Sequence, residues 1–358
     1  MRLPSVVINR SFPVERTVLS LLVGWLSLTS TTTSVAQVQF TVMPDTAAQR
    51  VDIQANGQPF TAYIFPSTIK KPVLYPLRAP DGTVVTRGFP LEARPGERVD
   101  HPHHVGMWFN YGDVNGYDFW NNSDAVDPGG KYGTVHHCKI LESADGKQGM
   151  LHVAADWVTS DNDKVLEENT KFVFSAKDKD TYLIDRTTTL TAVGDVSLTD
   201  NKEGMLGVRV ARALEHPSDE PAIFTDARGV PTPVEAMNNE GVNGLYRSSK
   251  GVEGDEVWGT RARWVQLSGR VDEMPASITI MDHPENVGFP TYWHARGYGL
   301  FAANPLGQKA LSDGKDELNF ALKNGESVTF RYRVVLHAGK PLRDEEEQAL
   351  YNQFAKGK

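Results

Sequence analysis

Tyr182-Leu183-Ile184-Asp185-Arg186-Thr187-Thr188-Thr189-Leu190 and Val328-Thr329-Phe330-Arg331-Tyr332-Arg333-Val334-Val335-Leu336 are the stretches that decide the fold. Both are rich in β-branched and aromatic residues, which suit a pleated, half-buried surface. Both read with a period of two, the spacing at which successive side chains of a strand point to opposite faces. Shorter stretches of the same kind are Val51-Asp52-Ile53, Thr61 to Phe65, Leu151 to Trp157, Lys171 to Phe174 and Ser277 to Met281. Turn signals separate them, among them Asn56-Gly57, Asp81-Gly82, Asp145-Gly146 and Asn324-Gly325. Many strands with no helical segments between them predict an all-β chain of antiparallel sheets packed face to face. One helix is expected near the end, over Glu345 to Phe354, where Leu350 and Phe354 share a face. A sandwich of this length exceeds one immunoglobulin-like domain, and the expected type is a galactose-mutarotase-like supersandwich.

The N-terminus carries Arg2, Arg10 and Arg16, an apolar run from Val18 to Leu28, and then Ser34-Val35-Ala36. A basic start, a short apolar run and small residues before a cut after Ala36 describe a signal peptide over residues 1–36. The run is too short for the ~20 residues that span a bilayer. No later stretch is long and apolar enough, so no membrane span is expected after cleavage. Residues 37–358 are expected to form a single β-sandwich domain in the periplasm or outside the cell. Cleavage takes the formal charge from −8 to −10, because the removed piece holds three arginines and Glu15. An acidic chain argues against a nucleic-acid partner. Cys138 is the sole cysteine, which excludes an internal disulfide and reads as a small buried hydrophobe.

Chemistry-bearing residues fall into three clusters. The first runs from His101-Pro102-His103-His104 through Trp108, Asn110 and Tyr111 to Trp120 and Asn121, and it holds three of the ten histidines within four positions. Imidazoles serve as acid–base groups near neutral pH or as metal ligands. In an extended strand His101 and His103 would share one face and His104 the other. Flat rings beside amides suit a sugar, which offers C–H faces and a rim of hydroxyls. The second cluster is His136-His137, Lys202-Glu203-Gly204 and Arg209; Glu203 reads as a loop carboxylate for acid–base work and Arg209 as a fork for a carboxylate. The third is Asp282-His283-Pro284 with Trp293-His294-Ala295-Arg296, where alternation puts His294 and Arg296 on one face of a strand.

At these clusters the sequence resembles a PmoA-like family that carries the label "methane oxygenase PmoA" and has no defined function. The matching stretches are His101-Pro102-His103-His104 with Gly106 and Trp108, Lys202-Glu203-Gly204 with Arg209, Arg261-Ala262-Arg263-Trp264 with Ser268-Gly269, and Asp282-His283-Pro284 through Trp293-His294 to Asn304-Pro305. The label belongs to a membrane subunit of several transmembrane helices, which this sequence lacks. The resemblance implies instead a place among secreted carbohydrate-catabolism proteins, and it assigns no catalytic residue.

The expected function is therefore a periplasmic carbohydrate-processing enzyme, a lyase, hydrolase or epimerase. His103, His104, Glu203 and His294 are the candidate catalytic residues. Trp108, Asn110, Trp120, His137, Arg209, His283, Trp293 and Arg296 are the candidate substrate-binding residues, with the tryptophans as stacking walls. The partner is a carbohydrate or sugar-derived small molecule. A non-catalytic carbohydrate-binding protein is the alternative, and a metal-dependent oxygenase the third reading. No cofactor is assigned; a divalent metal on the histidines stays open.

Overall fold

The computed structural model describes residues 1, 3–13, 37–127 and 129–357. The expected signal sequence, with its apolar run and the cut after Ala36, lies almost wholly outside the described residues. The chain divides into two compact units, Met1–Ala36 and Gln37–Lys358. The second is a large antiparallel β-sandwich with a short C-terminal helix, the class expected from the alternating stretches.

One eight-stranded sheet, here the long-strand sheet, is built around Thr181–Ala192 and Ser327–Ala338, which pair over most of their length. On one side of this pair follow Met274–Asp282, Trp264–Val271 and Leu245–Ser248; on the other lie Lys164–Asp178, Gln148–Thr159 and Gly133–Ala144. The other eight-stranded sheet, the site sheet, runs in the order Phe40–Asp45, Arg50–Ala55, Gln58–Ile64, Val73–Leu74, Met107–Tyr111, Gly204–Arg209, Leu300–Asn304 and Tyr292–Arg296. The hairpin joining Arg50–Ala55 to Gln58–Ile64 turns at Asn56 and Gly57, both with positive φ (50° and 77°), which is the backbone a tight two-residue turn requires.

Aromatic side chains from both sheets meet in the core. Phe109 lies 5.7 Å from Phe330, Phe40 lies 5.6 Å from Tyr182, and Tyr246 lies 5.2 Å from Phe301. Each such ring, once buried, contributes about 1.5–3 kcal/mol by leaving water. The core also encloses an ion pair. Arg186 Nη2 donates to Glu168 Oε1 at 2.7 Å, Trp157 Nε1 donates to Glu168 Oε2 at 2.9 Å, and the guanidinium lies over Phe109 and Phe172.

The C-terminal helix, Asp344–Phe354, buries Leu350, Tyr351 and Phe354 against Leu183, Trp264, Met281 and Val335 on the outer face of the long-strand sheet. Four acidic residues in its first turn complement the helix dipole. Cys138 is exposed, against expectation: it falls at a bulge in Gly133–Ala144 that breaks the alternation.

Alternation also sorts the last three strands of the site sheet. Leu206, Val208, Trp293, Ala295, Phe301 and Ala303 join the core between the sheets. The opposite face therefore carries Gly207, Arg209, Leu300, Ala302, His294 and Arg296. Register places Trp108, Gly207, Ala302 and His294 in one row across four strands. Glycine is required at 207 because the Trp108 indole lies across it; a Cβ there would sit 2.6 Å from the ring.

Candidate functional site

The segment His101-Pro102-His103-His104 forms a turn on this outward face, not a strand. His101 has φ +41°, a left-handed conformation in which histidine is uncommon, and His104 N donates to His101 O at 2.9 Å. Arg87 holds the turn: its Nη1 donates to Asp100 O at 3.0 Å, and its Nη2 donates to His101 O at 3.0 Å and His104 O at 3.1 Å. The turn gathers all three imidazoles, with ring centroids 5.7 Å apart for His101 and His103, 4.8 Å for His101 and His104 and 4.4 Å for His103 and His104, where a strand would have put His104 on the opposite face. His101 lines a groove on one side; His103 lines a smaller hollow on the other.

The groove encloses about 460 Å³, within the range of small-ligand sites. Its walls include Asp100 and His101 from the turn, His216 and Asp255 from two loops, Trp258, and Arg296 with Tyr298 from the end of the last strand. His216 Nδ1 lies 2.9 Å from Asp255 Oδ1. A carboxylate only accepts when ionised, so Nδ1 carries the proton, which in the neutral ring puts the lone pair on Nε2; that Nε2 has no hydrogen-bond partner. His101 Nδ1 stands 3.3 Å from Asp100 Oδ1, close but not aligned as a hydrogen bond. Arg296 is exposed, and its guanidinium lies 5.6 Å from the Trp258 ring and 5.9 Å from the Tyr298 ring.

From the groove a ladder of rings descends toward the sheet. Tyr298 stacks on His101 at 5.0 Å, His101 on His104 at 4.8 Å, and His104 on Trp108 at 5.1 Å. Arg209 lies beneath Tyr298, with its guanidinium 4.9 Å from that ring. Its Nη2 donates to Asp100 Oδ1 at 2.7 Å, an oxygen that Arg87 Nη1 also reaches. Burial alone would raise the Asp100 carboxyl, but His101, Arg209 and Arg87 together hold it well below the usual range. Burial raises the Tyr298 phenol to about 12, with Arg209 opposing and Glu203 adding to the rise, so it stays protonated as a donor.

Several expected residues take other places. His104 is 1% exposed and lines neither the groove nor the hollow. Trp120 Nε1 approaches its Nε2 at 3.2 Å and Arg209 Nη1 its Nδ1 at 3.4 Å; both groups only donate, and a neutral imidazole accepts from one of them at a time. Burial, His103 and Arg209 push it well below the ordinary imidazole value. His103 is pulled down to about 2 by burial and by Lys71, and it faces the hollow. Trp108 and Trp120 are fully buried and pack with Val73, Val105, Leu300 and Ala302; Trp293 is buried in the main core. None of the three offers a stacking wall. Asn110 is sealed, its Nδ2 donating to Phe119 O. His137 packs on Phe65 at 3.9 Å, with Tyr63 Oη 3.1 Å from its Nδ1, at the far edge of the long-strand sheet. His283 sits under the C-terminal helix, 5.0 Å from Phe354. Neither joins the groove.

His294, Glu203, Arg209 and Arg296 stay on the outward face. His294 Nδ1 donates to Lys202 O at 2.9 Å, and burial lowers its pKa despite the nearby Glu203 carboxylate. Glu203 pairs with Lys202. Among the described residues no three His, Cys, Asp or Glu side chains converge to hold a metal ion. The stacked histidines present ring faces to one another, not lone pairs to a common point. No described helix is long and apolar enough to cross a membrane.

Residues missed in the sequence are Asp100, His216, Asp255, Trp258 and Tyr298. The signal for two of them was present: the turn-rich stretch from Pro217 to Asp255 is preceded by His216 and ends on its partner, although the structure shows that it also carries the short strands Ala222–Thr225, Pro231–Val234 and Leu245–Ser248. Five of the fifteen buried polar atoms without a partner among the described residues belong to the groove lining or to the turn beside it, and the arginines that share Asp100, Arg87 and Arg209, add one each. They include His101 Nδ1, both nitrogens of His103, Arg209 Nε, His216 Nε2 and Trp258 Nε1. Buried polar groups are normally paired, so a concentration of orphans marks a place built for something else to bind.

Fold and groove define a large β-sandwich protein with a polar, aromatic-walled groove on the outward face of one sheet. The chain belongs to a family of unknown function, DUF6807, whose model matches residues 50–352. A comparison with curated proteins finds no match. Among solved structures, a glycoside hydrolase family 97 enzyme from Pseudoalteromonas sp. strain K8, in complex with panose, is 9% identical with a TM-score of 0.30. The alignment covers 86% of this chain but 35% of that enzyme, so this chain spans about a third of its length. The protein HI1317 is 10% identical with a TM-score of 0.28, over 84% of this chain and 99% of that one.

Proposed function

We propose that the protein is a carbohydrate-processing enzyme using acid–base chemistry in the groove, of the lyase, hydrolase or epimerase kind. The observation that carries this reading is the His216–Asp255 pair. Asp255 fixes the imidazole tautomer, leaving Nε2 with a lone pair beside the groove to which nothing in the protein donates. That is the arrangement a general base needs: the right tautomer, held in orientation by a third group. His101 beside Asp100 supplies a second imidazole for the complementary proton step. Tyr298 and Trp258 offer flat faces to a sugar ring, and Arg296 between them offers a guanidinium fork to its oxygens. Proton removal at one carbon or hydroxyl and proton delivery at another is common to all three reaction kinds.

The exposed Arg296 between two rings also favours a second reading, a non-catalytic carbohydrate-binding protein, since such a clamp holds a sugar without any titrating group. A broad saccharide panel separates the two by calorimetry and mass spectrometry. The enzyme reading expects a converted product for at least one compound that binds. Binding without any product leaves the binder, and neither binding nor product overturns both. An exported location belongs to this proposal. N-terminal sequencing of the mature protein, secreted by a Gram-negative host, is expected to begin at Gln37.

A further inference from the structure

The hollow on the other side of the His101–His104 turn is separate from the groove and has its own chemistry. It encloses about 120 Å³ between the turn, the segment Thr68–Val73 and the loop Asn122–Ala125. Ile69, Val73 and Val105 supply apolar walls, and an ion pair between Lys70 and Asp124 lies among the lining residues. Two polar groups are left over inside. His103 is 7% exposed, lines the hollow, and has no partner for either ring nitrogen. A neutral imidazole carries one donor and one acceptor, and leaving both buried and unmet costs about 1–3 kcal/mol each.

Lys71 is the second group. It is 3% exposed, its Nζ donates to His103 O at 2.7 Å and Trp120 O at 3.4 Å and lies 5.6 Å from the Trp108 ring centre, so one of its three N–H bonds has no oxygen to donate to. Among the described residues no carboxylate pairs with it. Asp118 is the nearest carboxylate with an effect, but its oxygens accept from Trp120 N, Asn121 N and Asn121 Nδ2. A buried ammonium without a counter-charge is costly, and an anion in the hollow would relieve it. Space of this size suits only a few heavy atoms; cavities of about 150 Å³ hold one benzene.

We propose that this hollow is a second binding site, for a small carboxylate of the formate or acetate class, held by the Lys71 ammonium and the His103 imidazole. The carboxylate takes the unspent Lys71 N–H on one oxygen and the His103 N–H on the other. The proposal stands on the hollow alone and survives if the groove reading fails.

Calorimetric titration of the full chain with acetate, and separately with acetamide as the neutral isostere, tests it. Wild type is expected to bind acetate and not acetamide. Lys71→Met, which keeps the packing volume, is expected to weaken acetate by about tenfold or more, the worth of a charge-assisted hydrogen bond. His103→Leu is expected to weaken it as well, which keeps the test sharp if Lys71→Met fails to fold. His216→Ala, in the groove, is expected to leave acetate affinity unchanged. No acetate binding by wild type, equal binding of acetamide, or equal affinity in both hollow variants overturns the proposal.

Discussion

The buried arginines Arg186 and Arg209 both lie against aromatic rings, and they differ in what is left unsatisfied around them. Between the sheets, Arg186 lies over Phe109 and Phe172, and its partners Glu168, Thr170 and Thr188 are all in place. No nitrogen of Arg186 and no oxygen of Glu168 is among the orphaned atoms. On the outward face of the site sheet, Arg209 lies over Tyr298 and shares Asp100 with Arg87, and orphaned nitrogens surround it. A closed network holds the fold together; an open one of the same composition holds its shape for something absent from the chain itself. The difference is invisible in composition, because both use arginine, carboxylate and aromatic residues.

The first way to break this comparison is to open the closed network. Glu168→Ala leaves Arg186 buried without its counter-charge and is expected to cost about 3–5 kcal/mol of stability. Urea unfolding measures this, and a loss below about 1 kcal/mol would mean that the core network is no more committed than the outer one.

A smaller effect sharpens the other side. Burial lowers the Lys71 ammonium from 10.5 to about 7, with Asp118 partly opposing. Between about pH 7 and about pH 10 the unfolded chain holds the Lys71 proton and the native one has released it. The unfolded state binds more protons in that window, so stability rises with pH across it, and the penalty is fully present below about pH 7. The span is on the order of 2–4 kcal/mol. In acetate-free buffer, wild type is therefore expected to gain stability from pH 7 to pH 10 relative to Lys71→Met. Parallel pH profiles would show that Lys71 carries no such burden.

The fold was legible because strands announce themselves locally. Tyr182 to Leu190 and Val328 to Leu336 fall inside two paired strands, and the alternation of Trp293, His294, Ala295 and Arg296 sorted inward from outward side chains as expected. The site was legible only where one segment made it. His101 to His104 stood out by density, but a left-handed His101 makes the segment a turn, which packs the three imidazoles against one another and exposes them to different hollows. His216, Asp255, Trp258 and Tyr298 reach the groove from loops and a strand end far apart in sequence, a meeting no local pattern encodes. Trp108, Trp120 and Trp293 show the converse. An aromatic at a period-two position reads the same whether it walls a pocket or fills a core, and burial alone tells them apart.

The most direct test of the groove is the single-turnover rate of His216→Ala on whichever saccharide the wild type converts, with the urea midpoint measured alongside. The account predicts a loss of about 10²- to 10⁴-fold, the usual contribution of a positioned general base, at an unchanged midpoint. A wild-type rate in the folded variant would contradict it, and the groove would then not be where the chemistry happens.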